Sequence, residues 1–118
     1  MQTDIILKRE DINGVSVIHV GGYLDAHTAT KFESLILELT NAERYKLILN
    51  FKELDYISSA GLGVIMGNIE EIRNHDGDIK LSDMGEKIYR VFDLVGFPSL
   101  YDIFDTQKEA ETAFESKS

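Results

Sequence analysis

Two kinds of hydrophobic spacing alternate along this chain, and their order restricts the possible fold more than any other feature. Val15 to Val20 is largely β-branched and follows Asn13-Gly14, whose residues tolerate positive φ, so we expect an antiparallel hairpin at the start. After Asp25, apolar residues recur every three or four positions, as they do on one face of a helix, and short apolar strands separate the helical segments. The order β-β-α-β-α-β-α-β-α predicts an α/β fold with a mixed sheet and about four covering helices.

The predicted elements occupy residues 1 to 118 as a single domain, because a chain of this length has room for one core. Strands are predicted at Ile5 to Lys8, Val15 to Val20, Tyr45 to Phe51, Ile79 to Leu81 and Tyr101 to Phe104. Helices are predicted at Asp25 to Thr40, with either Asp25 or Thr28 as the cap, at Ser59 to Asn74, at Glu86 to Val95, and after Thr106. The third helix is expected to bury an apolar face of Ile88, Val91, Phe92 and Val95. We expect Gly21-Gly22 to end the second strand and Leu54 to Ile57 to form a loop.

Charge and cysteine content restrict the function classes. The formal net charge of −9 disfavours direct binding to nucleic acid and to anionic membranes, and it suits a partner protein with a basic face. The chain has no cysteine and no run of about 18 apolar residues, so a disulfide framework and a membrane span are not expected. These features predict a soluble cytoplasmic domain.

Two serines lie where a predicted loop becomes the second helix. The first turn of a helix has free N–H groups and a partial positive charge, which stabilise a phosphate placed there. Ser58 is the better candidate for the helix cap, and Ser59 would then begin the helix near the surface. On spacing alone, both serines could be simple caps, or Ser59 could be a phosphorylation site.

Three glycines inside the same predicted helix are unexpected, because each costs about 1 kcal/mol relative to alanine. At about 100° per residue, Ala60, Gly63 and Gly67 fall on one side with Val64 nearby. The expected core stripe lies nearly opposite and contains Leu62, Ile65, Met66, Ile69 and Ile72. The small, uncharged side either admits the backbone of another protein or packs inside this domain.

Known catalytic and cofactor motifs are absent from this segment. Gly63 is followed by Val64 rather than by the lysine of a phosphate-binding loop, and Gly67 comes one position late for a dinucleotide fingerprint. Ile57 occupies the position of the first glycine of a nucleophile elbow around Ser59. The three histidines lack metal-ligand spacing. We therefore predict no enzyme activity, no cofactor and no metal site.

The segment Tyr56-Ile-Ser-Ser-Ala-Gly-Leu-Gly63, with Gly21-Gly-Tyr-Leu-Asp25 and the following Thr28-Ala29, resembles the STAS domains of bacterial anti-sigma factor antagonists. The resemblance covers nearly the whole chain, including Val91-Phe-Asp-Leu-Val-Gly96. It implies a partner switch. The unphosphorylated antagonist binds an anti-sigma factor that is also a serine kinase, which frees the sigma factor for transcription. Phosphorylation by the kinase ends the complex, and a phosphatase restores the antagonist.

The resemblance also implies roles for individual residues. Ser59 matches the acceptor serine, Ser58 stands where the family has an aspartate, and Ala60 replaces a second hydroxyl residue. Ser58 remains the alternative acceptor. Asp25 matches an aspartate that orients the acceptor hydroxyl and repels the phosphate once it is attached. The implied partner-binding residues are Asp25, Ser58, Ala60, Gly61, Gly63, Val64 and Gly67.

A second hypothesis remains open beside the partner switch. The same kind of domain also occurs as a non-catalytic subunit of membrane transport complexes, where the face around Gly63 and Gly67 would bind a neighbour without any phosphate cycle. Identification of the proteins that co-purify with the chain separates these two hypotheses.

Overall fold

One mixed sheet of six strands forms the centre of the fold in the computed structural model, which describes residues 4–115. The strands are β1 (Ile5–Ile12), β2 (Val15–Leu24), β3 (Lys46–Asn50), β4 (Leu54–Ile57), β5 (Asp78–Ser82) and β6 (Ile103–Phe104). The helices are α1 (Ala29–Asn41), α2 (Ser59–Asn74), α3 (Glu86–Leu94) and α4 (Gln107–Glu115), with a 3₁₀ turn at Phe97–Ser99. The predicted α/β class with a leading hairpin is confirmed.

The strand order is β1-β2-β3-β5-β6. β1 and β2 are antiparallel and are joined at Asn13 and Gly14, whose φ angles of 50° and 82° are those expected of an Asn-Gly hairpin turn. The other pairings are parallel. β2 has two parallel partners, because its first half pairs with β3 and its last residues pair with β4. This arrangement places the end of β4 beside the end of β2.

The helices cover the two faces of the sheet unequally. α1, α2 and α3 pack on one face over the main core, which includes Phe32, Ile65 and Phe92. α4 packs on the other face through Ala110 and Phe114, and it contacts β3, β5 and β6. Among the described residues, no helix is long and apolar enough to cross a membrane.

Two predictions about strands are wrong. β2 does not end at Gly21-Gly22 but continues to Leu24 through an irregularity between Gly22 and Tyr23. Gly22 has a φ of +77°, which a glycine adopts without strain, so the chain can shift its register and remain a strand. The segment predicted as a loop is β4, whose Leu54 and Ile57 are buried while the two residues between them are exposed.

Three predicted burial assignments are also wrong. Met66 and Val95 are exposed although their spacing placed them in the core. Val64 is buried although it was expected near the outward side of α2. Val64 is buried because α2 packs against α1 as well as against β4 and β5, which widens its buried arc. Val95 lies beyond the last residue of α3, Leu94. The first helix begins at Ala29 with Thr28 at the cap position, which is the later of the two predicted starts, because Asp25 and its neighbours form a turn.

Candidate functional site

The ends of two parallel strands bring the residues singled out in the sequence together. Leu24 is paired with Ile57, and the N–H of Ser58 donates to the carbonyl of Leu24 at 2.9 Å. Asp25 directly follows β2, and Ser58 directly follows β4. Because neighbouring strands in a sheet are roughly 4.8 Å apart, the two loops lie side by side. The sheet therefore places Asp25 beside the serine pair without help from a long loop.

The two serines have different environments. Ser59 is exposed and is the first residue of the 16-residue helix α2. Ser58 is the residue before the helix, and its carbonyl accepts from the N–H of Leu62 at 3.1 Å. The Ser58 side chain makes no capping hydrogen bond, and its buried Oγ has no partner among residues 4–115. Ser58 therefore holds the cap position that the sequence predicts. Its hydroxyl, however, does not cap the helix.

The Asp25 loop is held by a reciprocal set of hydrogen bonds. Asp25 Oδ1 accepts from the backbone N–H groups of His27 at 2.9 Å and Thr28 at 3.0 Å. Thr28 Oγ1 accepts from the N–H of Asp25 at 3.0 Å and donates to the carbonyl of Tyr23 at 2.7 Å. Thr28 is buried. This geometry combines an Asx turn with the start of α1, and it fixes the carboxylate relative to β2.

We expect Thr28→Val to destabilise the protein by about 1–3 kcal/mol, because two partly buried backbone groups lose their hydrogen bonds to Thr28 Oγ1 at nearly constant side-chain volume. Urea unfolding monitored by circular dichroism measures the change. Thr28→Ser keeps the hydroxyl and is the matched control, with a smaller loss. Equal losses in the two variants would show that the methyl group, rather than the hydrogen bonds, makes the contribution.

The small residues of α2 have two different surroundings. Gly61 is buried, and a Cβ built on it would lie only 2.6 Å from Leu24 Cγ, so this glycine allows α2 to lie close to β2. Gly63 and Gly67 are exposed, and a Cβ at either position would meet no atom within 4 Å. Ala60 is half-buried. The open face of α2 in this chain is therefore formed by Ser59, Gly63, Gly67 and the exposed Met66, and it excludes Gly61 and Val64.

A family model for the STAS domain matches residues 7–110. The chain belongs to the STAS domain family. It is 27% identical over 110 residues to the anti-sigma F factor antagonist of Paenibacillus polymyxa, and the match covers 92% of this chain and 94% of that protein. The resemblance read from the Ser-Ser-Ala-Gly-Leu-Gly segment is confirmed.

Solved structures of STAS proteins have the same fold. An anti-sigma factor antagonist from Mycobacterium paratuberculosis superposes with a TM-score of 0.85 at 26% identity, covering 92% of both chains. The Bacillus cell fate determinant SpoIIAA in its phosphorylated form superposes with a TM-score of 0.73 at 22% identity, covering 92% of this chain and 99% of that one.

The sequence did not single out one conspicuous feature of this end of the sheet. Tyr23 and Tyr56 face each other across β2 and β4, with ring centroids 5.9 Å apart, and both are partly exposed. Each tyrosine lies two residues before a site residue, Asp25 or Ser58. The matching positions of the two tyrosines before the two loops could have indicated that their rings meet. That inference also requires the pairing of β4 with β2, which the sequence did not predict. No cluster of metal-ligating side chains is found within residues 4–115.

Proposed function

We propose that this chain is a cytoplasmic anti-sigma factor antagonist that is controlled by phosphorylation of Ser59. In its unphosphorylated form it binds an anti-sigma factor that is also a serine kinase, and the sigma factor is released. The kinase then phosphorylates Ser59 and the complex dissociates, and a phosphatase restores the binding form. Membership of the STAS family and the names of the relatives described above support this proposal. The chain itself performs no catalytic step in this scheme.

The observation that carries the proposal is the position of Ser59. It is an exposed hydroxyl at the first position of α2, next to the free N–H groups of the first helical turn. A kinase can reach it without unfolding the domain, and the helix N-terminus stabilises the phosphate that results. The uncharged face around Gly63 and Gly67 adjoins it, so the modification places charge at the rim of a surface suited to close contact.

The same geometry favours Ser59 over Ser58 as the acceptor. The Oγ of Ser58 is buried, so phosphate transfer to it would require this part of the loop to open. Asp25, held beside the serines by Thr28, is the neighbour we assign to orient the acceptor and to repel the phosphate. The proposed partner surface comprises Asp25, Ser59, Ala60, Gly63 and Gly67, with Ser58, Gly61 and Val64 supporting it from below.

Intact-mass analysis of the protein purified from its native cells tests the proposal, with fragmentation to locate the phosphate. We expect one phosphate on Ser59, absent in Ser59→Ala and retained in Ser58→Ala, and a serine kinase among the co-purifying proteins. A phosphate on Ser58 would preserve the switch and move the acceptor. Absence of phosphate under growth and stress, and after incubation with co-purified proteins and ATP, would contradict the switch and favour a constitutive subunit of a transport complex.

A further inference from the structure

A groove on the second face of the sheet has no role in the scheme above. On this face, α4 contacts β3, β5 and β6. The part of the same face formed by β1 and β2 contains Ile6 and Lys8 of β1. Ile6 lies opposite Gly21, and both residues line a groove of about 440 Å³. Glu53 and Asp55, from the connection into β4 and from β4 itself, line the same groove. The lining thus combines apolar residues, among them Ile6 and Val20, with charged Lys8, Glu53 and Asp55.

The tyrosine pair, Tyr23 and Tyr56, lies next to this groove. Gly22 lines the groove and directly precedes Tyr23, and Asp55 lines it and directly precedes Tyr56. The two rings are tilted by 33° and remain 39% and 43% exposed. Exposed aromatic rings beside a concave surface are typical of protein-binding sites, where they contribute a large contact area at a small entropic cost.

Two carboxylates that line this groove are available for a ligand. Glu53 and Asp55 are both exposed, and neither makes an ion pair with another residue of the described range 4–115. The nearby Asp4 differs, because the N–H of Ile5 and the ammonium of Lys31 hold the pKa of its carboxyl below the ordinary value. Lys8 lines the same groove and also makes no ion pair within residues 4–115, so the two carboxylates outnumber the one lysine and the lining keeps a net negative charge.

We propose that the tyrosine pair and these two carboxylates receive an arginine side chain of the partner protein that binds at Ser59. A guanidinium group stacks its face on an aromatic ring while the N–H groups at its edge donate to carboxylates. A lysine ammonium has no planar face and cannot make both contacts equally well. The surface is continuous with the proposed switch, since Tyr23 and Tyr56 each lie two residues before its loops. The proposal rests on the proposed function only for the identity of the partner.

A short peptide tests the arginine preference without the partner. The probes are the blocked tripeptides acetyl-Gly-Arg-Gly-amide and acetyl-Gly-citrulline-Gly-amide, which differ in charge but hardly in shape. We titrate each into the full chain and follow the tyrosine ring signals by NMR. We expect the arginine peptide to shift Tyr23 and Tyr56 and to bind about two- to five-fold more tightly than the citrulline peptide. Tyr89 on α3 has the same 39% exposure as Tyr23 and is the internal control.

Three outcomes of the titration would overturn the proposal. These are equal shifts with both peptides, equal shifts at Tyr89, and no shift at the tyrosine pair. Tyr56→Leu provides a second measurement, because leucine keeps the apolar bulk and removes the ring. We expect this variant to unfold at nearly the same urea concentration and to lose the preference for arginine, whereas Tyr89→Leu keeps it.

The partner kinase separates this inference from the proposed function. With the purified kinase, we expect Tyr56→Leu to weaken binding by about tenfold or more, as loss of an aromatic anchor does, and Tyr89→Leu to leave binding unchanged. If the kinase binds the wild type and releases the phosphorylated form, but binds Tyr56→Leu equally well, the arginine site is refuted and the switch stands. If no kinase binds any form, the proposed function fails, and the peptide titration still decides the arginine site.

Discussion

Phosphorylation of Ser59 is expected to weaken binding to the anti-sigma factor kinase by about a hundredfold or more. The phosphate adds about −1.5 to −2 charges at the rim of the open face of α2, where the partner must approach closely. Removing that charge from water costs a few kcal/mol unless the partner supplies a counter-charge, and each ~1.4 kcal/mol lowers the affinity tenfold. Isothermal titration calorimetry with unmodified and fully phosphorylated protein measures the difference.

Matched measurements separate loss of binding from loss of folding. Because the phosphate lies at the N-terminus of a 16-residue helix, we expect the melting temperature of the phosphorylated protein to be equal or slightly higher. Ser59→Ala should bind the kinase with nearly wild-type affinity and should no longer respond to ATP. Tight binding by the phosphorylated form would refute the switch. A lower affinity accompanied by unfolding would mean that the phosphate acts on the fold instead.

Gly61→Val is expected to destabilise the protein by about 2–4 kcal/mol, the largest effect we expect from a single substitution in α2. The first side-chain carbon would already lie 2.6 Å from Leu24 Cγ and 3.1 Å from Ile57 Cγ1. Both neighbours are buried core residues at the ends of β2 and β4, and relief would require α2 to move away from the sheet. Chemical unfolding in urea gives the change in free energy.

Gly63→Ala is the matched control two residues along the same helix. A Cβ there meets no atom within 4 Å, so alanine should stabilise α2 by about 0.5–1 kcal/mol through its better helix propensity. If Gly63 lies in the partner surface, the same variant should bind the kinase less tightly while it unfolds later. Equal destabilisation by both substitutions would contradict the distinction between a packing glycine and a surface glycine.

The parts of the fold that depend on residues close together in the sequence could be predicted. The bounds of α2 agree with the prediction at both ends, because Ser58 has an extended backbone and Asp76-Gly77 follows the last turn of the apolar repeat. The hairpin at Asn13-Gly14 was predictable for the same reason. β4 was missed because four residues with two buried side chains carry little periodicity. Its strand character comes from pairing with the far end of β2, about 30 positions away in sequence.

The candidate site was predicted in part. The serines and Asp25 could be named because their motif resembles the STAS pattern, and the structure brings their loops together. Val64 was predicted to lie near the outward side of α2 but is buried. The prediction from the rotation of about 100° per residue assumed one buried side, whereas α2 packs against both the sheet and α1. The burial of the Ser58 hydroxyl could not be predicted, since it depends on the approach of a strand distant in sequence.

The shared attachment of both site loops to β2 has a consequence for the timing of the proposed switch. Asp25 ends one strand, Ser58 ends its hydrogen-bonded neighbour, and the N–H of Ser58 donates to the carbonyl of Leu24. A site supported in this way needs no lid to close and no segment to refold when its charge changes. The response of the proposed switch would therefore follow the activities of its kinase and phosphatase without a lag, and each cycle would return the surface to the same shape.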